Sequence, residues 1–259
     1  MRHDWDAPHV AIRYRHAMSV IGANNPGRRR TRHLMADNSG QFLVAGTFID
    51  SDSVEIATFA KDSVAGATEP FAAVLRLYSA VRDEIIYDPY VDLADPINFR
   101  ASDVLAAGHG FCIGKAALLA AAARSIGIPA RVGYADVRNH LTSPRLYQLI
   151  GTDTFVWHSY TDIFLGGKWV KATPAFDRAL CDRVGVKPLE FDGHADSLFQ
   201  PFDQAGRRHM EYLRDRGTFS DVPFETIQAD FRDKYARLMG TGGIRGDFRS
   251  EAVAAAADE

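Results

Sequence analysis

Only two cysteines, Cys112 and Cys181, occur in the 259 residues. Two thiols cannot build a disulfide framework, and no Cys-x-x-Cys pair offers half a zinc site. No cluster of histidine, cysteine and carboxylate has ligand spacing, so neither a metal nor another cofactor is expected. Long apolar runs are missing as well. None reaches the roughly 18 residues that would suggest a membrane span. Met1-Arg2-His3-Asp4-Trp5-Asp6 is charged, with no apolar run behind it, unlike a secretory signal. A chain that uses one thiol suits a reducing compartment, so the expected location is the cytoplasm. Charge of one sign is scarce too: 30 Lys+Arg against 33 Asp+Glu leaves a net charge of −3. That gives no general attraction to nucleic acid or to a membrane surface. The one basic cluster, Arg28-Arg29-Arg30 with Arg32 and His33, reads as a solvated loop or arm.

What is present is the balance of a soluble globular domain, 46% apolar and 24% charged. Residues 1–40 are polar and arginine-rich and read as an N-terminal extension, with a possible short strand at 10–14. Residues 41–49 are rich in β-formers. Helices are expected at 54–61 and from Glu69, where Phe71, Val74, Leu75, Tyr78, Val81 and Ile85 form one apolar stripe. Thr68 is the expected cap of that helix, and Pro70 suits its first turn. A short helix at 101–107 is expected to be capped by Ser102 or Asp103. Then come an alanine-rich helix from Cys112 to Ile126, stopped by Gly127, and a strand over 129–137. A loop or short helix follows at 139–150. Residues 154–165 and 168–173 read as the two strands of a hairpin turned by Gly166-Gly167. After Thr173 periodicity fades until 204–213, and a last amphipathic helix uses Phe224, Ile227, Phe231, Tyr235 and Leu238. The expected class is α+β, a nucleophile-bearing helix packed on an antiparallel sheet. One domain at 41–240 is expected, with a core at 66–180, a C-terminal flank at 181–240 and a disordered tail at 241–259.

Gly108-His109-Gly110-Phe111-Cys112 places a thiol at the mouth of a helix. Unpaired N–H groups and the positive end of the helix dipole there favour thiolate, the attacking form. The glycines beside it, with Lys115, do not meet the spacing of a phosphate-binding loop. A thiol nucleophile needs a base and a group to orient that base. Alternation along 156–162 sends Val156, His158, Tyr160 and Asp162 to one strand face and Trp157, Ser159 and Thr161 to the other. If the Cys112 helix packs on the first face, thiol and imidazole meet. The return strand delivers Asp177 or Thr173 beside His158. Taken singly, a cysteine in an alanine-rich helix or a histidine in a strand is ordinarily a packing residue; their joint placement is what points to chemistry. Asp136, Arg138 and His140 lie where they either rim the pocket or face solvent. Trp157 and Trp169 read as hairpin packing, and Cys181 as inert.

Several segments together resemble the transglutaminase-like superfamily, which includes bacterial cysteine proteases and other thiol hydrolases with a papain-like core. They are the 77–87 helix, Gly110-Phe111-Cys112, Gly127-Ile128-Pro129-Ala130-Arg131-Val132, Trp157-His158-Ser159-Tyr160 and Gly167-Lys168-Trp169-Val170. The resemblance covers roughly residues 40–180. It implies Cys112 as nucleophile, His158 as base, and an acyl-enzyme thioester resolved by water or an amine. In many relatives an aspartate stands directly before the proline that follows the return strand. Thr173 holds that place here, and Asp177 comes four residues later. Asp177 is the favoured third member, because a carboxylate stabilises imidazolium better than a hydroxyl does. The Cys112 N–H is one oxyanion donor, with no second assigned. The implied activity is hydrolysis of an amide, peptide or isopeptide bond, on a peptide, protein or small amide. Amine acyl transfer and a non-catalytic interaction module are the competing readings.

Overall fold

The helix that begins at Cys112 is buried nearly all round. This α4 (Cys112–Ser125) presents Ala116, Ala117 and Ala120 to Ala123, all without solvent exposure, around Leu118 and Leu119. A helix apolar on every side belongs in a core, and its small side chains let neighbours approach closely. In a computed structural model, which describes residues 38–140, 142, 144–199 and 206–257, Asn38–Glu259 makes one compact unit around that helix. The expected extension at 1–40, including its strand at 10–14 and the arginine cluster, lies almost wholly outside the described residues.

On one side α4 is wrapped by α1 (Val54–Val64), α2 (Pro70–Glu84) and α3 (Ala101–Ala107). Capping departs from expectation at two of them. Glu69, not Thr68, precedes α2 and makes no side-chain cap bond; Pro70 does stand in the first turn. The start of α3 is served from a distance, since the Ser102 N–H and hydroxyl both donate to Asp50. Residues 41–49 form no strand: a 3-10 helix over Asn38–Leu43 leads into bends.

On the other side lies a four-stranded antiparallel sheet in the order β5-β4-β3-β6. Its strands are β3 (Ala130–Asn139), β4 (Thr154–Leu165), β5 (Lys168–Ala172) and β6 (Met210–Phe219). The Gly166-Gly167 hairpin is found as expected, both glycines at positive φ. The fourth strand is an addition. β6 lacks clean alternation because two register shifts interrupt its pairing with β3. A parallel pair, β1 (Ile86–Tyr87) and β2 (His109–Gly110), ties the end of α2 to the start of α4 and sets Tyr87 opposite Gly110.

Two buried basic side chains lock this frame through backbone carbonyls. Lys115 sits in the first turn of α4, and its Nζ donates to the carbonyls of Arg82 and Ile85 at 2.9 and 2.5 Å, where α2 ends. A cation suits the negative end of that helix, while burial pushes the ammonium down to about 7. Arg124 in the last turn of α4 donates to Ala130 O, Val44 O and Ser220 O. It thereby holds the entry to β3.

The remaining helices are α5 (Pro144–Ile150), α6 (Arg178–Val184), α7 (Phe224–Lys234) and α8 (Phe248–Ala257). The last of these corrects the expected disordered tail. An alanine-rich sequence has high helix propensity, and long-range partners fix its start. Phe248 packs on Tyr87 and Tyr90, Glu251 accepts from the Tyr90 hydroxyl at 2.5 Å, and Arg249 pairs with Asp177.

Candidate active site

Cys112 is the first residue of α4. The residue before it, Phe111, is extended and provides no side-chain cap. The open first-turn donors therefore have no competitor for the sulfur. Burial is the largest influence on the thiol and pushes it up to about 11, against the backbone N–H groups of Ser159, Ile113 and Cys112 itself, which favour thiolate. The expected effect of the helix mouth is thus present, but desolvation outweighs it. The resting group is a thiol.

His158 comes from β4 by way of a bulge. Ala135 pairs with His158 and Val137 with Phe155, so Asp136 faces both Val156 and Trp157. The extra residue is absorbed at Trp157, which takes φ +62. That is a costly conformation for a large side chain, on the order of 1–3 kcal/mol, and several bonds hold it. The Trp157 N–H donates to Asp136, its Nε1 donates to Asp230 at 2.8 Å, and Arg216 stacks over its ring while pairing with both aspartates. Asp136 thus serves the bulge and does not line the cavity. Neither do Arg138 and His140, which face Asp153 and Glu211.

The bulge also changes the faces. Ala135 and Val137 share a face, so their partners His158 and Phe155 share one although three residues apart. The helix packs on the opposite face from the one expected, since the Thr161 hydroxyl donates to Ala116 O at 2.8 Å. Cys112 nevertheless touches the small cluster on the His158 face, formed by Ala135, Val137, Ala175, Leu189, Phe199 and Met210, as well as the main core. Cys112 and His158 line one cavity of about 290 Å³. His158 is 7% exposed, and its Nε2 has no hydrogen-bond partner among the described residues. Burial, reinforced by the neighbouring His209, pushes the imidazole down to about 4.

The carboxylate expected to orient His158 is engaged elsewhere. Asp177 caps α6 by accepting from the Leu180 N–H at 2.9 Å, accepts from the Tyr87 N–H at 3.1 Å, and pairs with Arg249. None of these partners is His158, and Asp177 does not line the cavity. Thr173 is buried, its hydroxyl without a partner among the described residues, and no hydrogen bond joins it to His158. Cys181 is buried in α6, with burial pushing its thiol up to about 12. Trp169 packs with Phe42, Phe164 and Arg131 at the hairpin, whereas Trp157 both packs and lines the cavity.

Sequence reasoning missed His209, which is 2% exposed and lines the cavity beside His158. It directly precedes β6, whose pairing is interrupted by two register shifts, so the pattern over 204–213 did not single it out. Among the described residues no group of His, Cys, Asp and Glu is placed to hold a metal. No helix there is long and apolar enough to cross a membrane.

A folded imidazole held near 4, against an ordinary value of about 6.5, makes a pH prediction. Between those values the unfolded chain binds the proton and the folded one does not. The contribution to stability is full above about pH 6.5 and is lost as pH falls to 4. The shift corresponds to about 3 kcal/mol. Urea unfolding at pH 7 and pH 4.5 is expected to show this loss in the wild type and a smaller one in His158→Gln.

Residues 57–174 match the profile of the Transglutaminase-like superfamily. This segment, which carries both Cys112 and His158, belongs to that superfamily, and the fold is the transglutaminase-like one: an α+β frame with the cysteine helix against an antiparallel sheet. It is a family of cysteine-dependent hydrolases and acyltransferases. No curated protein matches the chain. One similar solved structure is described as that of a "putative cysteine protease" from Cytophaga hutchinsonii. It is 18% identical with a TM-score of 0.46, and the match covers 74% of this chain and 50% of that one. The chain thus spans about half the length of that structure.

Proposed function

We propose that the chain transfers acyl groups through a thioester on Cys112, with His158 as the base and water as the usual acceptor. The observation that carries this reading is the convergence of Cys112 and His158, 46 positions apart, on one cavity. At neutral pH both groups rest uncharged, so the reaction starts by general-base catalysis. His158 takes the thiol proton as Sγ bonds to the substrate carbonyl carbon. Backbone N–H groups around the sulfur, those of Cys112, Ile113 and Ser159, stand ready to donate to the oxyanion that develops beside it. The carbon–nitrogen bond then breaks, and the leaving amine takes the proton back from His158. Water, deprotonated by His158, attacks the thioester; the sulfur–carbon bond breaks, the proton on His158 passes to Sγ, and the acid departs. The substrate is a peptide, a protein side chain or a small amide. Asp177 contributes to the site by fixing the Tyr87 wall and the α8 contact, and the reacting pair is a dyad.

The test uses p-nitrophenyl acetate. One equivalent of p-nitrophenolate per chain and a single acetyl group on the Cys112 peptide are expected, detected by absorbance and peptide mass. Asp177→Asn is expected to keep the burst. Labelling at Cys181 instead, or no labelling, would sink the proposal. Partition of the acetyl group between water and an added amine decides between hydrolase and acyltransferase.

A further inference from the structure

The cavity around Cys112 and His158 is walled mostly by hydrocarbon. Leu93, Leu146, Ile150, Phe231 and Leu238 contribute to it from four separate stretches of chain. Among the described lining residues no carboxylate and no lysine occurs, and Arg207 is the only permanently charged one. An amine or carboxylate drawn deep into such a site would lose its hydration for little return. The volume of about 290 Å³ is nearly twice the ~150 Å³ of a dry apolar cavity that holds benzene. An acetyl group would leave most of that wall unfilled. A second observation points to a ligand. The Nε2 atom of His158, more than nine-tenths buried, has no partner among the described residues and belongs to the same wall.

We infer that the substrate presents an apolar acyl chain, aliphatic or aromatic, which lies in this cavity with its carbonyl carbon at Cys112. The inference rests on the thioester reading above and narrows its substrate class. Burying hydrocarbon is the driving force for such a chain. Each added methylene is worth about fourfold in binding until the space is full. A chain bearing a terminal charge gains less, because most of the described wall is hydrocarbon and Arg207 is its single permanent charge.

The experiment compares p-nitrophenyl acetate, butyrate, hexanoate, octanoate and benzoate, together with the mono-ester of glutarate. Second-order rate constants for acylation of Cys112 in the full chain are measured, each divided by that for N-acetylcysteine. The normalised constant is expected to rise roughly fourfold per methylene up to a plateau. Benzoate should exceed acetate, and glutarate should fall below the uncharged chain of similar length. In Ile150→Trp and in Leu238→Trp the ratio of octanoate to acetate is expected to drop at least tenfold. Two positions are used so that a variant with a lowered melting temperature does not decide the matter. Equal constants for acetate and octanoate, or glutarate as the best substrate, would overturn the inference while acetyl-Cys112 still formed, leaving the thioester reading intact. No labelling of Cys112 by any ester would overturn both.

Discussion

Replacing Cys112 by alanine is expected to reduce turnover of an activated ester by more than about 10³-fold, while the melting temperature stays within a few degrees. Removing a covalent nucleophile takes away the step that makes the reaction possible, and effects of that size are usual. Alanine suits α4, because Cys112 is its first residue and alanine has the highest helix propensity. His158→Ala is expected to cost about 10²–10⁴-fold, the usual range for a positioned base. The two variants differ in their pH profiles. The wild type depends on a neutral imidazole, so its kcat/KM should fall only as the pH drops towards 4. The His158→Ala enzyme must wait for spontaneous thiolate. With the thiol pushed up to about 11 by burial, its rate should climb close to tenfold per pH unit from 7 to 10. Stopped-flow measurement of p-nitrophenolate release over pH 4 to 10 separates the two. A flat profile in His158→Ala would mean that the imidazole takes no proton from Cys112.

This mechanism differs from what the helix mouth alone suggests. A cysteine at N1 with no capping side chain is a place where sequence reasoning expects a thiolate. The three backbone donors around the sulfur honour that expectation. The burial that overrides it comes from residues far away in the chain, Tyr87, His158 and Tyr235 among them, which line the same cavity. No local window contains that information.

The same division runs through the fold. Gly127 after the alanine helix, Gly166-Gly167 between two strand-like runs, and the apolar stripe of α2 are local signals. Each stands in the structure where the sequence places it. The helix and hairpin that carry Cys112 and His158 were therefore legible. The bulge at Trp157 was not. It uses a tryptophan where a glycine would have advertised it, and its support comes from Asp230 and Arg216, more than fifty positions on. The sheet face covered by α4 was misjudged for a related reason. Alternation fixes which side chains share a face but not which face the helix takes. Asp177 misled because a carboxylate just past the return strand fits two roles. Its position as the residue before α6 makes it a helix cap, a strong preference for aspartate. α8 was hidden by its composition: alanine-rich sequence reads as low complexity until Phe248, Arg249 and Glu251 find distant partners.

Gly114→Ala carries the largest expected effect on stability. In an exposed helix this change would stabilise by up to about 1 kcal/mol, through propensity alone. Here the new Cβ would stand 2.6 Å from the carbonyl oxygen of Asn98 and 2.7 Å from a methyl of Val104. Those distances are inside van der Waals contact. The Asn98 oxygen belongs to backbone that leads through Phe99 into α3, so it cannot rotate away as a side chain would. Either α4 or the segment before α3 must move. Overpacking of this kind costs about 1–3 kcal/mol, occasionally more, and exceeds the gain from propensity. The expected result is a net loss of about 2–3 kcal/mol. For a domain of this size that lowers the melting temperature by roughly 4–12 °C. Gly40→Ala, where a Cβ meets nothing within 4 Å, should change stability by less than about 0.5 kcal/mol. Adding Val104→Ala to Gly114→Ala removes one of the two obstructing groups but opens space of its own, so it should restore only part of the loss. Gly114 stands two residues after Cys112. A shifted first turn therefore moves the sulfur relative to the Ser159 N–H, and acylation should slow along with the loss of stability. Scanning calorimetry and the ester burst, run on the same samples, read both effects. A Gly114→Ala protein as stable as the wild type would show that the close approach of α4 to the Asn98 segment is not what holds the nucleophile in place.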